Sequence, residues 1–144
     1  MNIITTILLW LTYFISLYFA VFWLLVFLIT HDDKKNKVLA ETPFVTITIP
    51  AYNEESSLAG TVASVLALDY PKKQYELLIV NDGSHDKTAQ IAQELITKNP
   101  SYTLKLITQQ NKGKGAALNN ALREAQGTYF VCLDADSFVA KDAL

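Results

Sequence analysis

The chain has 144 residues, with 12 Lys and Arg against 14 Asp and Glu, and 51% of its residues are hydrophobic. That length allows one globular domain at most, and a net charge of −2 provides no basic field of the kind that nucleic-acid-binding proteins carry. One cysteine and two histidines exclude a disulfide framework and a zinc site built from several cysteines. We therefore expect no nucleic acid among its partners.

The first predicted element is a transmembrane helix over residues 3–30. Only Thr and Ser interrupt its apolar side chains, and it contains no charged residue. As a helix it would be about 42 Å long at ~1.5 Å per residue, which is enough to cross the ~30 Å hydrocarbon core of a bilayer. A cleaved signal peptide is the competing interpretation, but Met1-Asn2 carries no basic side chain and no small-x-small cleavage step precedes residue 31. We expect a retained membrane anchor.

Residues 31–43 form the predicted linker between this anchor and the rest of the chain. Lys34, Lys35 and Lys37 follow the apolar segment closely, whereas no Lys or Arg precedes it. The positive-inside rule counts Lys and Arg and gives little weight to Asp and Glu. The sequence therefore predicts a protein of the cell membrane whose C-terminal part is cytoplasmic.

Residues 44–144 alternate between β-branched apolar runs and segments with helical periodicity. The four predicted strands are Phe44–Pro50, Tyr75–Asn81, Thr103–Thr108 and Thr128–Leu133. An alternation of strands and helices is typical of α/β proteins with a mostly parallel sheet covered by helices on both faces. We therefore predict a Rossmann-like α/β fold after the transmembrane helix.

Three predicted helices connect these strands, each marked by an apolar stripe at helical spacing. The stripes are Leu58, Val62, Val65 and Leu66; Ala89, Ala92, Leu95 and Ile96; and Leu118, Ala121, Leu122 and Ala125. Glu54 and Glu55 are predicted in the first turn of the first helix, where the helix dipole favours negative charge. Gly127 is predicted as the C′ residue of the third helix. Cys132, in mid-strand, is predicted to be buried.

Polar side chains follow the predicted strands at the point where each strand ends. In open parallel sheets, ligands bind beyond the carboxyl ends of the strands, where the strand order switches. In the common order 3-2-1-4, strands one and four flank that switch point. The order therefore predicts a crevice lined by Asn53, Glu54, Asp134 and Asp136, with Asp82 beside it.

Asp134 and Asp136 are the sharpest candidates in this crevice. Residues i and i+2 of a strand point the same way, and two adjacent carboxylates repel unless a cation lies between them or one is protonated. Hard oxygen ligands favour Mg²⁺ or Mn²⁺, held by one or two carboxylates together with phosphate oxygens. The alternative is a solvated turn with two surface aspartates.

Two further loops carry candidate residues. The segment 81–84 (Asn-Asp-Gly-Ser) is a predicted turn into a helix with Ser84 or Asp86 as N-cap, and it leaves Asp82 free to accept hydrogen bonds from a base or ribose. The Gly-rich segment 111–115 could approach a diphosphate through backbone N–H groups and the Lys114 ammonium, although its spacing matches neither a phosphate loop nor a dinucleotide fingerprint. His85 is expected to be exposed.

Four motifs follow one another in the chain: Val45–Glu54, Leu78–Asp86, Asn111–Asn119 and Val131–Asp136. Together, in this order and spacing, they resemble the family 2 glycosyltransferases of GT-A fold. The resemblance implies an enzyme that transfers a sugar from a nucleotide-activated donor with inversion, using Mg²⁺ or Mn²⁺. Ala67–Gln74 and the N-terminal span look like those of membrane polysaccharide synthases, such as the poly-N-acetylglucosamine synthases, which use UDP-sugars. A polyprenyl-phosphate sugar synthase, which loads a lipid acceptor, is the alternative within the family.

The resemblance also implies roles for individual residues. Asp136 matches a metal ligand, Asp134 a donor-binding carboxylate or second metal ligand, and Asp82 the carboxylate that binds the base. The remaining residues implied in nucleotide-sugar binding are Pro50, Ala51, Tyr52, Asn53, Glu54 and Lys114.

The resemblance covers the nucleotide-sugar-binding half of the family's domain, at residues 44–144. The family's catalytic base lies well beyond the Asp-x-Asp pair, so no residue here is predicted to be catalytic, and we expect a fragment that is inactive by itself. The acceptor, a polysaccharide or a lipid, is not specified by these residues. A non-catalytic, membrane-anchored nucleotide-binding module is the alternative from another functional class.

Overall fold

The computed structural model describes residues 2–30 and 42–144. The chain divides into two compact units, Met1–Ala40 and Glu41–Leu144. Lys34, Lys35 and Lys37, on which the predicted topology depends, lie outside the described residues, as does most of the predicted linker.

The described residues of the first unit form the helix α1 (Ile3–Thr30), which has the predicted bounds. Its large apolar side chains are exposed within the unit, including those of Trp10 and Trp23. The side-chain hydroxyl of Thr12 donates to the backbone carbonyl of Leu8 (2.9 Å), so this polar group is satisfied within the helix. The stretch Ile3–Leu28 has a mean hydropathy of 2.2, which makes it a candidate membrane span by length and composition.

The second unit is a four-stranded parallel sheet with helices on both faces. In chain order its elements are β1 (Val45–Ala51), α2 (Leu58–Leu66), β2 (Tyr75–Asp82), α3 (Thr88–Lys98), β3 (Thr103–Gln109), α4 (Lys114–Glu124) and β4 (Tyr129–Cys132), with a 3₁₀ turn at Lys72–Gln74. Each strand lies within one residue of its predicted bounds. The strand order is β3-β2-β1-β4 with every pairing parallel, as the sequence predicts.

The two central strands carry the core. Ile49 of β1 and Leu77 of β2 are fully buried on the face covered by α2 and α3, where Val62 packs against them. On the opposite face, Leu78 and Val80 pack against small side chains of α4. Strands buried on both faces are near-continuous apolar runs, and the sequences of β1 and β2 have this pattern.

The predicted start of the first connecting helix, α2, is wrong. α2 begins at Leu58, so Glu54 and Glu55 precede it and lie in a turn. The carbonyl of Glu54 accepts hydrogen bonds from the backbone N–H groups of Ser57 (3.3 Å) and Leu58 (3.0 Å). The N–H groups of these two glutamates donate to Thr88 Oγ1, at the start of α3, and to Asp86 Oδ2 in the β2–α3 loop.

The end of α4 also differs from the prediction. The helix ends at Glu124, and Gly127 has no positive φ, so it is not a C′ residue. Instead, Gly127 N–H donates to Thr46 Oγ1 (2.8 Å), and a Cβ at position 127 would lie 2.3 Å from the backbone nitrogen of Thr46. The glycine is therefore required by close packing against β1. Leu122 of the predicted stripe is 57% exposed, because α4 buries the small side chains of Ala117 and Ala121 instead.

The prediction that Cys132 is buried is wrong as well. The thiol is free and the residue is exposed. β4 lies at the edge of the sheet, and its residues are exposed or half-buried. A strand on a sheet edge buries fewer of its side chains than a central strand does, and the local apolar pattern does not distinguish the two.

Candidate functional site

A cleft of about 270 Å³ opens at the carboxyl ends of β1 and β4, close to the ~300 Å³ lower end of small-molecule sites. These two strands flank the point at which the strand order reverses, which is the expected ligand position in an open α/β sheet. The residues lining the cleft are Pro50, Ala51, Tyr52, Glu54, Asp82, Lys114, Asp134, Ala135 and Asp136.

Every residue predicted for the site lines this cleft except Asn53. Ala135, between the two aspartates, lines it in addition. Sequence reasoning also missed Thr61, a fully buried residue of α2 whose hydroxyl donates to the Ala135 carbonyl (2.6 Å). The signal in the sequence was a Thr three residues after Leu58, inside an apolar stripe. Thr61 therefore ties the segment that carries both aspartates to α2.

The two aspartates follow β4, whose pairing with β1 continues through a hydrogen bond from Leu133 N–H to the Thr48 carbonyl (2.9 Å). Asp134 accepts an ion-paired hydrogen bond from Lys114 Nζ (2.5 Å). That hydrogen bond, with the negative charges of Asp134 and Asp136, raises the pKa of Lys114 above its ordinary value. Lys114 therefore stays charged at neutral pH beside both carboxylates.

Asp134 and Asp136 are the candidate metal ligands of the cleft. Within residues 2–30 and 42–144, no group of three or more His, Cys, Asp or Glu side chains is arranged to hold a metal ion. Asp134 and Asp136 are two exposed oxygen donors on one cleft wall. Mg²⁺ and Mn²⁺ commonly take one or two carboxylates and complete their coordination with water and phosphate oxygens. The pair thus fits a divalent ion that shares its coordination with a bound phosphate.

Asp82, at the end of β2, is 4% exposed and still reaches the cleft. Its Oδ1 accepts hydrogen bonds from Gln109 Nε2 (2.8 Å) and Lys112 N–H (2.9 Å), and its Oδ2 accepts one from Gly113 N–H (2.8 Å). Burial by itself would raise the pKa of Asp82, but these three hydrogen bonds stabilise the charged form and lower the pKa below its ordinary value. Asp82 is therefore a carboxylate engaged mainly by the chain itself.

Asn53 joins two loops instead of lining the cleft. Its N–H donates to Ser84 Oγ (3.0 Å), and its Oδ1 accepts from His85 N–H (2.9 Å). Asn53 has φ 56°, a left-handed conformation that Asn adopts more readily than most residues. His85 is exposed, as predicted, and its ring lies edge-on to that of Tyr52 with 6.5 Å between centroids. The His85 ring therefore packs beside Tyr52, which lines the cleft.

A second set of contacts joins the loop after β1 to the β2–α3 loop and to the start of α3. Glu54 N–H donates to Thr88 Oγ1 (2.8 Å) and Glu55 N–H to Asp86 Oδ2 (3.1 Å). Asp86 also accepts from Thr88 N–H (2.9 Å), as an N-capping side chain does, although Lys87 directly precedes α3. Burial would raise the pKa of Asp86, but its hydrogen bonds with Thr88 and Glu55 lower it. The loop after β1 is thus held by the loop after β2 and by the first residue of α3.

Comparison with known proteins identifies relatives of this arrangement. The family model described as "Glycosyl transferase family 2" matches residues 46–144. Poly-beta-1,6-N-acetyl-D-glucosamine synthase of Staphylococcus aureus (strain COL) is 34% identical over 139 residues, covering 90% of this chain and 33% of its own length. The synthase of Staphylococcus epidermidis is 34% identical over 135 residues, covering 90% and 32%. The chain spans about a third of the length of these curated relatives.

Solved structures share the fold of the second unit. A mannosyltransferase of Pyrobaculum calidifontis, in complex with GDP-Man and Mn²⁺, has a TM-score of 0.68 and 32% identity over 71% of this chain and 30% of its own. S. aureus TarS 1–349 in complex with UDP has a TM-score of 0.63 and 28% identity over 69% of this chain and 29% of its own. A TarS complex with UDP-GlcNAc has a TM-score of 0.61 and 28% identity, over 68% of this chain and 28% of its own. These likenesses confirm the predicted GT-A fold class.

Proposed function

Because the chain belongs to glycosyl transferase family 2, we propose that its cleft binds the nucleotide-sugar donor of a membrane-anchored, inverting glycosyltransferase. The observation that carries the proposal is the convergence of Asp134, Asp136, Lys114 and Asp82 on one cleft at the strand-order switch. Carboxylates and an ammonium group at that position suit a ligand with a base at one end and phosphates at the other. The 34% identity to poly-beta-1,6-N-acetyl-D-glucosamine synthases supports a polysaccharide as the product.

The proposed donor is a UDP-sugar. Three hydrogen bonds from the chain occupy three of the roughly four acceptor positions of the Asp82 carboxylate, leaving about one for a ligand. Uracil offers a single N–H between two carbonyls, whereas guanine offers a ring N–H and an amino group side by side. One remaining acceptor therefore suits uracil. The structural relatives in complex with UDP and UDP-GlcNAc support the same donor, and the one with GDP-Man makes GDP the comparison ligand.

A divalent metal, Mg²⁺ or Mn²⁺, is the proposed cofactor. Asp136 would hold it, with Asp134 as a second ligand or as a donor-binding carboxylate. When bound, such an ion supplies charge neutralisation for the departing diphosphate. Lys114, whose pKa is raised further above its already basic ordinary value by the hydrogen bond with Asp134, adds a positive charge at the same end of the cleft.

The proposed reaction is a single displacement at the anomeric carbon. An acceptor hydroxyl attacks that carbon, its proton passes to a general base, and the bond to the nucleoside diphosphate breaks with inversion. The residues of this chain act on the leaving-group side: Asp82 and Tyr52 face the nucleoside, and Lys114 faces the phosphates. We assign the role of general base to none of the residues in 2–30 and 42–144.

Binding of UDP to the 144-residue chain in detergent micelles, with and without Mn²⁺, tests the proposal. We expect Mn²⁺ to tighten UDP by a factor of about 5–150, as coupled ligands do, and GDP to bind more weakly than UDP. Asp136→Ala should abolish the gain from Mn²⁺. Asp142→Ala, which removes an exposed aspartate outside the cleft, should preserve it. If the parent chain does not bind UDP, the proposed donor is wrong; if Asp136→Ala retains the gain, the proposed metal ligand is wrong.

A further inference from the structure

The carboxylate of Asp82 lies at the end of β2 and connects two neighbouring loops. Two of its three hydrogen bonds come from consecutive backbone N–H groups, those of Lys112 and Gly113, which are 30 and 31 residues away in the chain. The third comes from Gln109, the last residue of β3, whose Oε1 accepts from Asn120 Nδ2 of α4 (3.0 Å). The β3–α4 loop is therefore fastened to the end of β2 at several points.

This fastening determines where α4 starts. Gly113 directly precedes the helix and has φ 85°, a conformation that favours glycine, and its carbonyl accepts from Ala117 N–H (3.1 Å). Lys114 is the first helical residue. Because the N–H groups of both preceding residues are held by one carboxylate, the direction in which the Lys114 side chain leaves the backbone is fixed as well.

The β2–α3 loop approaches the β3–α4 loop closely because it carries a glycine, Gly83, at this point. A Cβ at Gly83, the residue after Asp82, would lie 2.7 Å from the backbone nitrogen of Asn111. The β2–α3 loop and the β3–α4 loop therefore pass each other at backbone contact distance. The Asp82–Gly83 pair serves both needs, since the aspartate accepts the N–H groups and the glycine allows the approach.

Within residues 2–30 and 42–144, the side chain of Lys114 forms an ion pair with Asp134. Its side chain is 56% exposed, and it ends at Asp134, whose side chain is 53% exposed. A lysine side chain has many rotamers and loses considerable entropy when held in one place, and exposed ion pairs hold their partners weakly. The backbone, not the ion pair, therefore has to bring the ammonium group to the cleft.

We propose that Asp82 is a positioning residue that holds Lys114 at the phosphate end of the cleft through the backbone of Lys112 and Gly113. This role goes beyond the expected contact of Asp82 with the base, and it rests on the proposed function in that the phosphates of the donor are the ligand of Lys114. The two roles make different predictions, because a contact with the base does not depend on whether phosphates are attached.

The discriminating ligands are UDP and uridine, which share base and ribose and differ in the diphosphate. Their affinities are measured without metal, by NMR titration of the 144-residue chain in detergent micelles. The variants are Asp82→Asn, which keeps the side-chain shape, Lys114→Ala, the double variant, and Asp142→Asn as an exposed control. We expect Asp82→Asn to weaken UDP at least threefold more than it weakens uridine. In the Lys114→Ala background, Asp82→Asn should weaken the two ligands equally.

Equal losses for UDP and uridine in Asp82→Asn would leave the base contact as the sole role and overturn the proposal. Lys114→Ala provides a second test of the proposal. Because Lys114 is exposed, this test does not depend on whether an Asp82 variant folds. If Lys114→Ala weakens UDP no more than uridine, the ammonium group does not meet the phosphates and the proposal also fails.

Amide hydrogen exchange in the ligand-free chain separates this proposal from the proposed function. We expect the Lys112 and Gly113 amides to be protected in the parent and to exchange at least tenfold faster in Asp82→Asn, with the amides of α2 unchanged. If the parent binds neither UDP nor uridine, the proposed function is wrong. Faster exchange at these two amides in Asp82→Asn would still show that Asp82 holds the β3–α4 loop. Unchanged exchange at these amides would overturn the positioning role of Asp82.

Discussion

Lys114 Nζ lies 2.5 Å from Asp134 Oδ1, so the first residue of α4 is joined to the segment that follows β4. These two elements flank the cleft, and both side chains are more than half exposed. An exposed ion pair contributes little to stability. The contact is therefore free to be exchanged for a ligand, with Lys114 turning to a phosphate and Asp134 to a metal ion.

Lys114→Ala should accordingly leave stability unchanged while weakening UDP. We expect the same midpoint of urea unfolding for the variant and the parent, followed by circular dichroism. The loss of UDP affinity should shrink as salt rises from low to physiological concentration and beyond, because screening weakens the ammonium–phosphate attraction in the parent. A loss that does not change with salt would show that charge is not the cause.

The pH dependence of stability should reveal the hydrogen bonds of Asp82. Its pKa in the folded chain is lowered from 3.8, so its contribution to stability is present above that value and is lost as the pH falls through the folded-state pKa. We expect parent and Asp82→Asn to differ most in the free energy of unfolding at neutral pH and to converge in acid. Urea unfolding at several pH values measures this, and a constant difference across the range would contradict it.

Gly127→Ala should destabilise the second unit. The added Cβ would lie 2.3 Å from the backbone nitrogen of Thr46 and 2.8 Å from the Tyr129 carbonyl, and overpacking of this kind costs about 1–3 kcal/mol. Gly115→Ala is the matched control, since nothing lies within 4 Å of its Cβ position and it is in α4. There, alanine should stabilise by about 0.5–1 kcal/mol. Urea unfolding of both variants and of the parent tests whether the free energy of unfolding falls for Gly127→Ala and rises for Gly115→Ala.

The topology prediction rests on Lys34, Lys35 and Lys37, which follow an apolar segment with an uncharged start. A reporter that is active only outside the cytoplasm, fused after Leu144, should be inactive. A cytoplasmic reporter at the same site should be active. Strong activity of the first reporter would place the cleft on the side of the membrane that lacks nucleotide sugars, and would contradict the proposed function as well as the topology.

Exchange of the three lysines tests the cause of that orientation. Moving the positive charge to the N-terminal flank, by Lys34→Gln, Lys35→Gln and Lys37→Gln together with three lysines added after Met1, should reverse the reporter pattern. An unchanged pattern would mean that the folded second unit, and not the flanking charge, sets the orientation.

The local sequence pattern predicts the four strands, and the order common in such sheets predicts which of their ends form the cleft. Buried parallel strands are continuous β-branched runs, and β1 and β2 stand out for that reason. Parallel strands bring their carboxyl ends to one edge, so Asp82, Asp134 and Asp136 were predicted beside each other from the residues that follow each run. The apolar, uncharged segment 3–30 likewise predicted α1 with its observed bounds.

Only the tertiary structure decided which polar groups are committed to the chain itself. Asp82 accepts hydrogen bonds from N–H groups 30 and 31 residues away, and Asn53 meets His85 at a separation of 32. Two predictions are wrong because a local pattern holds no information about neighbours. Cys132 is exposed because β4 is an edge strand. Gly127 allows close packing on Thr46 and does not end a helix. Periodicity encodes which face of an element is apolar, whereas partners depend on which loops the fold brings together.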